Sequence, residues 1–256
     1  MRTLLFILIV AAASAQNPKE AAVGAQLAQE VRRRTSAIEN PAVQEYIDGI
    51  GRKLASQFPA DRLYTFSLIS DDAGGDTHEP LFFPGGYIFV SADLLRSAAN
   101  ETELAGMLAH AMAHVTLPRP PSDNRSMPLI FIGGSYGLGP PPPDGSVVPM
   151  SVFKTQRENE TRADAFAIQA MSAASFNPEA LTAYIARVQL PPERAAKIFA
   201  VLADRDTRVA ALRQAIAELP ARTYPSTDPD EFSRIQEQVR GIRVEDRPRP
   251  TLKRPN

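Results

Sequence analysis

Residues Asn100 to Leu117 read NETELAGMLAHAMAHVTL, and the rest of the chain is best read outward from them. The chain has three histidines in 256 residues, and two of them, His110 and His114, stand four apart in this stretch. Asn100 followed three positions later by Glu103 marks a capped helix start. Leu104, Met107, Leu108, Met112 and Val115 then recur at helical spacing, and Pro118 ends the run. Positions i and i+4 share one face of a helix, about one turn apart, so both imidazoles point the same way. That geometry suits two ligands of one metal ion.

The zinc-peptidase pattern with this spacing is H-E-x-x-H, in which the glutamate is the general base. Here the five residues are His110, Ala111, Met112, Ala113 and His114, so both ligands are present and the base position holds a methyl group. A zinc site with two histidines needs a third protein ligand and keeps one position open for water. Glu160 and Asp164, also four apart, lie on a second predicted helix, ENETRADAFAIQAM. The natural division places Glu160 on the metal and Asp164 behind a ligating histidine, where a carboxylate holds ring and tautomer. The bland alternative is that these two acids pair on the surface with Arg157 or Arg162, as most helix carboxylates do.

Upstream, Lys19 to Arg34 predicts a helix ending in three arginines, favourable at a helix C-terminus. Asn40-Pro41 supplies a cap and a first-turn proline for a second helix with Val43, Ile47, Ile50, Leu54 and Phe58 on one face. Tyr64 to Leu68 alternates as a strand. A Gly/Asp-rich loop, Asp71 to Asp76, leads to Leu81–Phe83, Pro84-Gly85-Gly86 and Tyr87–Val90, either a hairpin turned at the glycines or one bent strand. Ser91 caps a short helix with Leu94 and Leu95. Pro118 to Pro149 holds nine of the 23 prolines and cannot be a helix; a loop of that length is a lid, a binding loop or disordered. Helices are then expected over Ser151–Ser175, from Asn177-Pro178 through Val188, and over Pro192–Leu202, Asp206–Leu219 and Asp230–Arg240. The class is α+β, mostly α.

Length permits one domain with a sizeable core. A formal net charge of −1 argues against a general nucleic-acid binder. Arg2, the apolar run Leu4 to Ala13 and the small-x-small triplet Ala13-Ser14-Ala15 read as a signal peptide over residues 1–15, cleaved to leave a chain beginning near Gln16. The chain has no cysteine, which excludes disulfides and a lipid anchor at that site. No later stretch is long and apolar enough to span a bilayer, so the expected location is periplasmic or secreted. The domain would occupy 16–240, with the Pro/Gly-rich loop at 118–149, and 241–256 would be a Pro/Arg-rich solvated tail.

Taken together, ETELAGMLAHAMAHV, ENETRADAFAIQAM and FFPGGYIFVSADLL, in this chain at residues 101–115, 158–171 and 82–95, resemble the motifs of the HtpX and CAAX-prenyl-endopeptidase family of gluzincin metallopeptidases, in particular its soluble periplasmic branch. The resemblance covers roughly Lys19 to Val239. It implies a zincin-like domain with a small sheet beside the zinc-motif helix, and one zinc ion per chain held by His110, His114 and Glu160, with Asp164 behind them. It implies a peptide or unfolded protein as partner, lying along an edge strand within Phe83–Val90. The chain departs from the pattern in three places. Ala111 stands at the general base, which is expected to flank the metal's open side. Glu79 stands where the family carries an asparagine. Arg208 remains in a late segment that has lost its histidine.

The first functional reading is therefore a zinc metalloendopeptidase acting on exported proteins, weakened or inactive for want of the glutamate. The second is a non-catalytic peptide-binding protein, and the third a helical structural domain without metal. Glu79 is the candidate substitute base. Glu103, about 10 Å from His110 along the helix, is too far to serve. Arg208 either contacts a substrate carbonyl or neutralises an acid such as Asp164.

Overall fold

The computed structural model describes residues 18–70, 79–117, 150–189 and 204–240. The expected signal peptide, the Asp71–Asp76 loop, His78, the proline-rich loop, the helix expected at 192–202 and the tail lie outside those residues. Among the described residues the order is α1 (Pro18–Arg34), α2 (Pro41–Ala55), β1 (Thr65–Ile69), β2 (Leu81–Phe83), β3 (Tyr87–Ser91), α3 (Ala92–Ser97), α4 (Glu101–Thr116), α5 (Met150–Ala173), α6 (Glu179–Val188), α7 (Arg205–Ala217) and α8 (Pro229–Arg240). The class is α+β and mostly α, as the patterning predicts.

The central element is α4. Asn100 Oδ1 accepts from the Glu103 amide at 3.0 Å, and Glu103 Oε2 reaches back to the Ala99 amide at 2.7 Å. This reciprocal cap satisfies donors that a helix start leaves unpaired. From Glu103 to Ala113 every residue is buried, so over this stretch α4 is covered on all sides and presents no solvent face. Arg187, at the end of α6, pairs with the buried Glu103 carboxylate and also donates to the Ser97 carbonyl at 2.8 Å. Glu103 is thereby committed to the cap and to α6.

α2 begins at the expected cap, with Asn40 Oδ1 accepting from Val43 N at 3.1 Å, and buries Val43, Ile47, Ile50 and Leu54 against α4 and the sheet. At the other end of the chain α8 is tied down by Gln236, whose Nε2 donates to the Leu95 and Ala98 carbonyls at 2.8 Å each. Those carbonyls close the exit of α3, where the helix has no partners of its own to offer.

The sheet has the order β1-β3-β2, with β1 parallel and β2 antiparallel to β3. Leu81–Val90 is thus a hairpin, not a bent strand. Gly85 and Gly86 at its turn have φ of +91° and +84°, and a Cβ on Gly86 would lie 1.7 Å from the Leu63 carbonyl oxygen. Only glycine fits there. The register places Phe82 opposite Ile88. Alternation then sends Phe66, Leu68, Ile88, Val90 and Phe82 towards the main core, and Ile69, Leu81, Phe83 and Phe89 towards a smaller cluster against Ala28 and Val31 of α1.

One expectation is corrected here. β3, which supplies most of Phe83–Val90, is paired on both flanks and cannot accept another strand. The outer side of β1 is bridged by residues 36–38, with Ile38 N donating to Leu68 O at 3.0 Å and Ser70 N to Ser36 O at 2.9 Å. Among the described residues, only β2 keeps an edge with no strand beside it.

Candidate metal centre

The site forms where α4, α5 and α7 meet. Each helix contributes one turn: His110 and His114 from α4, Glu160 and Asp164 from α5, Arg208 from α7. His110 Nε2 and His114 Nε2 lie 3.1 Å apart, His114 Nε2 and Glu160 Oε2 3.2 Å, and His110 Nε2 and Glu160 Oε2 3.4 Å. Zinc bonds of about 2.0–2.1 Å at tetrahedral angles separate neighbouring ligand atoms by about 3.3–3.4 Å. The three donor atoms therefore outline one face of a zinc tetrahedron. All three residues are buried or nearly so, and with both Nε2 lone pairs free a cation between the three donors would offset their mutual repulsion.

Asp164 stands behind His110. Its Oδ1 is 2.8 Å from His110 Nδ1, a close ionic contact that lies off the line of the ring N–H and is not an aligned hydrogen bond. The contact favours the tautomer with Nδ1 protonated and the Nε2 lone pair free for a metal. Asp164 is in turn gripped by Arg208, with Nε to Oδ2 at 2.7 Å and Nη2 to Oδ1 at 2.8 Å. Arg208 Nη1 donates to Glu79 Oε1 and Gln189 Oε1, both at 3.2 Å. The guanidinium is 3% exposed, so this bidentate pair is shielded from water.

The electrostatics follow from that geometry. Burial alone would raise the Asp164 carboxyl, but the charge and hydrogen bonds of Arg208 prevail and hold it down at about 2. Burial would raise Glu160 as well; the two histidines beside it pull it well below the usual carboxylate range. For His110, burial lowers and the Asp164 carboxylate raises, and the outcome is upward, to about 10. Both directions express one property, that the cluster favours positive charge at its centre. Glu160, Asp164 and Glu79 against Arg208 leave two negative charges when both histidines are neutral, which a divalent ion would balance.

The sequence expectations divide as follows. His110, His114 and Glu160 converge, and Asp164 lies against His110. The surface-pair alternative for the two acids fails, since both are buried and point at α4 while Arg162 is exposed. Of the two roles open to Arg208, the structure gives it the neutralising one, on Asp164. Glu79 begins the approach to β2 as expected, but its carboxylate is engaged by that same arginine.

Ala111, one residue past His110 on α4, is fully buried within the main core. A side chain any larger has to displace packed atoms.

Two participants were not foreseen. Phe82 stacks on the His114 ring, with centroids 4.4 Å apart and planes within 4°. The period-two pattern of Leu81-Phe82-Phe83 held the signal, since only the middle residue can face α4. Gln189, just past the end of α6, carries no local signal at all.

A small cavity of about 90 Å³ lies alongside, between α5 and α7, lined by Glu160, Asp164, Thr207 and Arg208 among others. No helix among the described residues is long and apolar enough to cross a membrane.

Residues 38–118 and 146–240 match peptidase family M48, a span that contains every residue of this site. The chain is 27% identical over 186 residues to the beta-barrel assembly-enhancing protease of Escherichia coli (strain K12), a match covering 66% of this chain and 37% of that protein. To the beta-barrel assembly-enhancing protease of Yersinia pestis it is 28% identical over 198 residues, covering 68% of this chain and 40% of that protein. The chain thus spans less than half the length of these curated relatives.

Proposed function

Because this chain belongs to peptidase family M48, we propose that it is a zinc-holding, gluzincin-type member whose peptide-bond hydrolysis is weakened or lost at Ala111, acting on exported proteins in the periplasm. The observation that carries this reading is the triangle of His110 Nε2, His114 Nε2 and Glu160 Oε2, with edges of 3.1 to 3.4 Å. Such an ion, when bound, polarises a scissile carbonyl and acidifies water. The remaining work belongs to the chain's own groups. His110 is held by Asp164 and Asp164 by Arg208, and this acid and this arginine keep the ligand tautomer and ring angle constant. A carboxylate at position 111 would carry the proton from water to the leaving amine, and alanine has none. Losing a general base removes about 10²- to 10⁴-fold of rate.

A second reading, that the chain binds peptides without cutting them, is favoured by the fate of the other acids. Glu160 is turned to the histidines, Asp164 to His110 and Arg208, Glu79 to Arg208, and Glu103 to Arg187. Each is committed, so none stands ready as a substitute base. In both readings the ligand is an extended segment of an unfolded protein laid along the open edge of β2 by strand addition. The name of the relatives makes strands of β-barrel proteins the fitting class.

Zinc content and hydrolysis test these readings. Purified protein should hold about one zinc per chain, and His114→Ala or Glu160→Ala should abolish or strongly weaken it. Ala111→Glu should hydrolyse casein at least ~10²-fold faster than the natural chain, and the gain should vanish on adding His114→Ala. A protein that ignores zinc refutes the metal reading. A zinc-loaded Ala111→Glu protein that stays inert leaves the binding reading in its place.

A further inference from the structure

The two histidines of the centre are held in different ways. His110 has a carboxylate behind it, at Nδ1. His114 has none: among the described residues its hydrogen bonds and ionic contacts all run through Nε2, the atom that faces His110 and Glu160. A ligating imidazole must still be stopped from turning about its Cβ–Cγ bond, since a rotated ring presents carbon to the metal. Metal-binding histidines ordinarily meet that need with a hydrogen bond at the far nitrogen.

We propose that Phe82 is the positioning residue of His114, holding by ring stacking the orientation that Asp164 gives His110 by charge. The inference rests on the zinc reading above. Phe82 comes from β2, half-buried, and lies parallel to the imidazole at 4.4 Å. His110 meets the same ring edge-on, with centroids 4.6 Å apart and planes at 79°. The His114 ring thus has the Phe82 face against one side and the His110 ring at a steep angle beside it, and turning it drives its atoms into the Phe82 face. Phe82 is in turn fixed by the sheet. Its pairing with Ile88 and the Pro84–Gly86 turn set the register, and a slip of one residue would send its ring to the α1 side.

The contact also responds to charge. Two electron-rich rings stacked in parallel gain little, whereas a cation near an aromatic face is attracted by its quadrupole. An imidazole whose Nε2 lone pair is drawn on by a divalent ion is electron-poor, and its stacking on Phe82 strengthens. By linkage, the stack then strengthens zinc binding by the same factor.

The test compares zinc dissociation constants, read by chelator competition, and the visible bands of the cobalt-substituted protein. Phe82→Leu should weaken zinc binding roughly 2- to 12-fold, the range of an aromatic pair, and shift the cobalt bands. Phe82→Tyr, which keeps the face, should restore both.

The control for mere damage to the strand is Phe83→Leu. Phe83 is buried on the opposite side of β2, edge-on to Phe89 at 5.9 Å, and its loss should lower thermal stability without moving either metal readout. If Phe82→Leu does not fold, Phe82→Met, flexible and without a ring face, is read in its place. Zinc affinity unchanged in the Phe82 variants, or reduced equally by Phe83→Leu, overturns the proposal and leaves the metal centre standing. A natural chain that takes up no zinc overturns the metal centre itself, and the proposal with it.

Discussion

Arg208→Met isolates the part of the site that is independent of any metal. The guanidinium is buried and carries two hydrogen bonds to Asp164 and one each to Glu79 and Gln189. Replacing it by a side chain of similar bulk leaves the Asp164 carboxylate buried without its counter-charge. Held at about 2 against an ordinary value of about 3.9, that carboxylate gains a net of about 2.5 kcal/mol from its surroundings, nearly all of it traceable to Arg208 and His110. Breaking a buried pair by removing one partner generally costs about 3–5 kcal/mol. The two figures meet at about 3 kcal/mol, which for a chain of this size lowers the melting temperature by about 6–12 °C.

The assay is a thermal melt in chelator, so that metal linkage does not enter. The double variant Arg208→Met with Asp164→Leu supplies the decisive comparison. An ion pair replaced on both sides by apolar groups is often close to neutral, so the double variant should recover most of what the single one lost. A single variant that melts within about 2 °C of the natural chain refutes the reasoning, because it puts the loss below about 1 kcal/mol. So does a double variant no more stable than the single.

The N-terminal sequence of protein recovered from the exported compartment should start at or very near Gln16; an uncleaved chain held in a membrane refutes the signal-peptide reading. Asn100→Ala should cost about 1 kcal/mol of stability through the lost α4 cap, while Asn100→Asp should be tolerated; equal losses in both would show that the side-chain oxygen is not what matters. Ala111→Glu should melt lower than the natural chain in chelator, since its carboxylate enters a fully buried position, and zinc should recover part of the difference; a variant of unchanged stability would mean that position 111 is open to water. An extended peptide from a β-barrel protein should slow hydrogen exchange at the outward amide of β2 and leave β3 unchanged; protection elsewhere alone would remove the strand-addition reading.

What was legible in the sequence is what depends on near neighbours. The Asn100 and Asn40 caps, the helical steps of α2 and α4 and the four-residue spacing of His110 with His114 and of Glu160 with Asp164 are all settled within a turn or two of the chain, where sterics and hydrogen-bond geometry act directly, whereas Gly85 and Gly86 left a hairpin and a bent strand both open. The absence of a carboxylate at position 111 is equally local and needs no structure to be seen. Spacing also says that two side chains share a face, but not what that face meets.

The meeting was decided by packing between elements far apart in sequence. His114 and Glu160 are separated by 46 residues, Asp164 and Arg208 by 44, Glu79 and Arg208 by 129. Whether such groups touch depends on how each helix is rotated about its axis, and that rotation is set by the whole core. Hence Arg208 could be read two ways in the sequence, and only the fold shows it paired with Asp164. For the same reason the place of Tyr87–Val90 in the sheet is settled only by β1 and β2 on either side of it, and the burial of Ala111 only by the elements that enclose α4. Phe82 lies between the two cases: its side of the strand follows from alternation, whereas the ring it covers is determined by where β2 docks on α4.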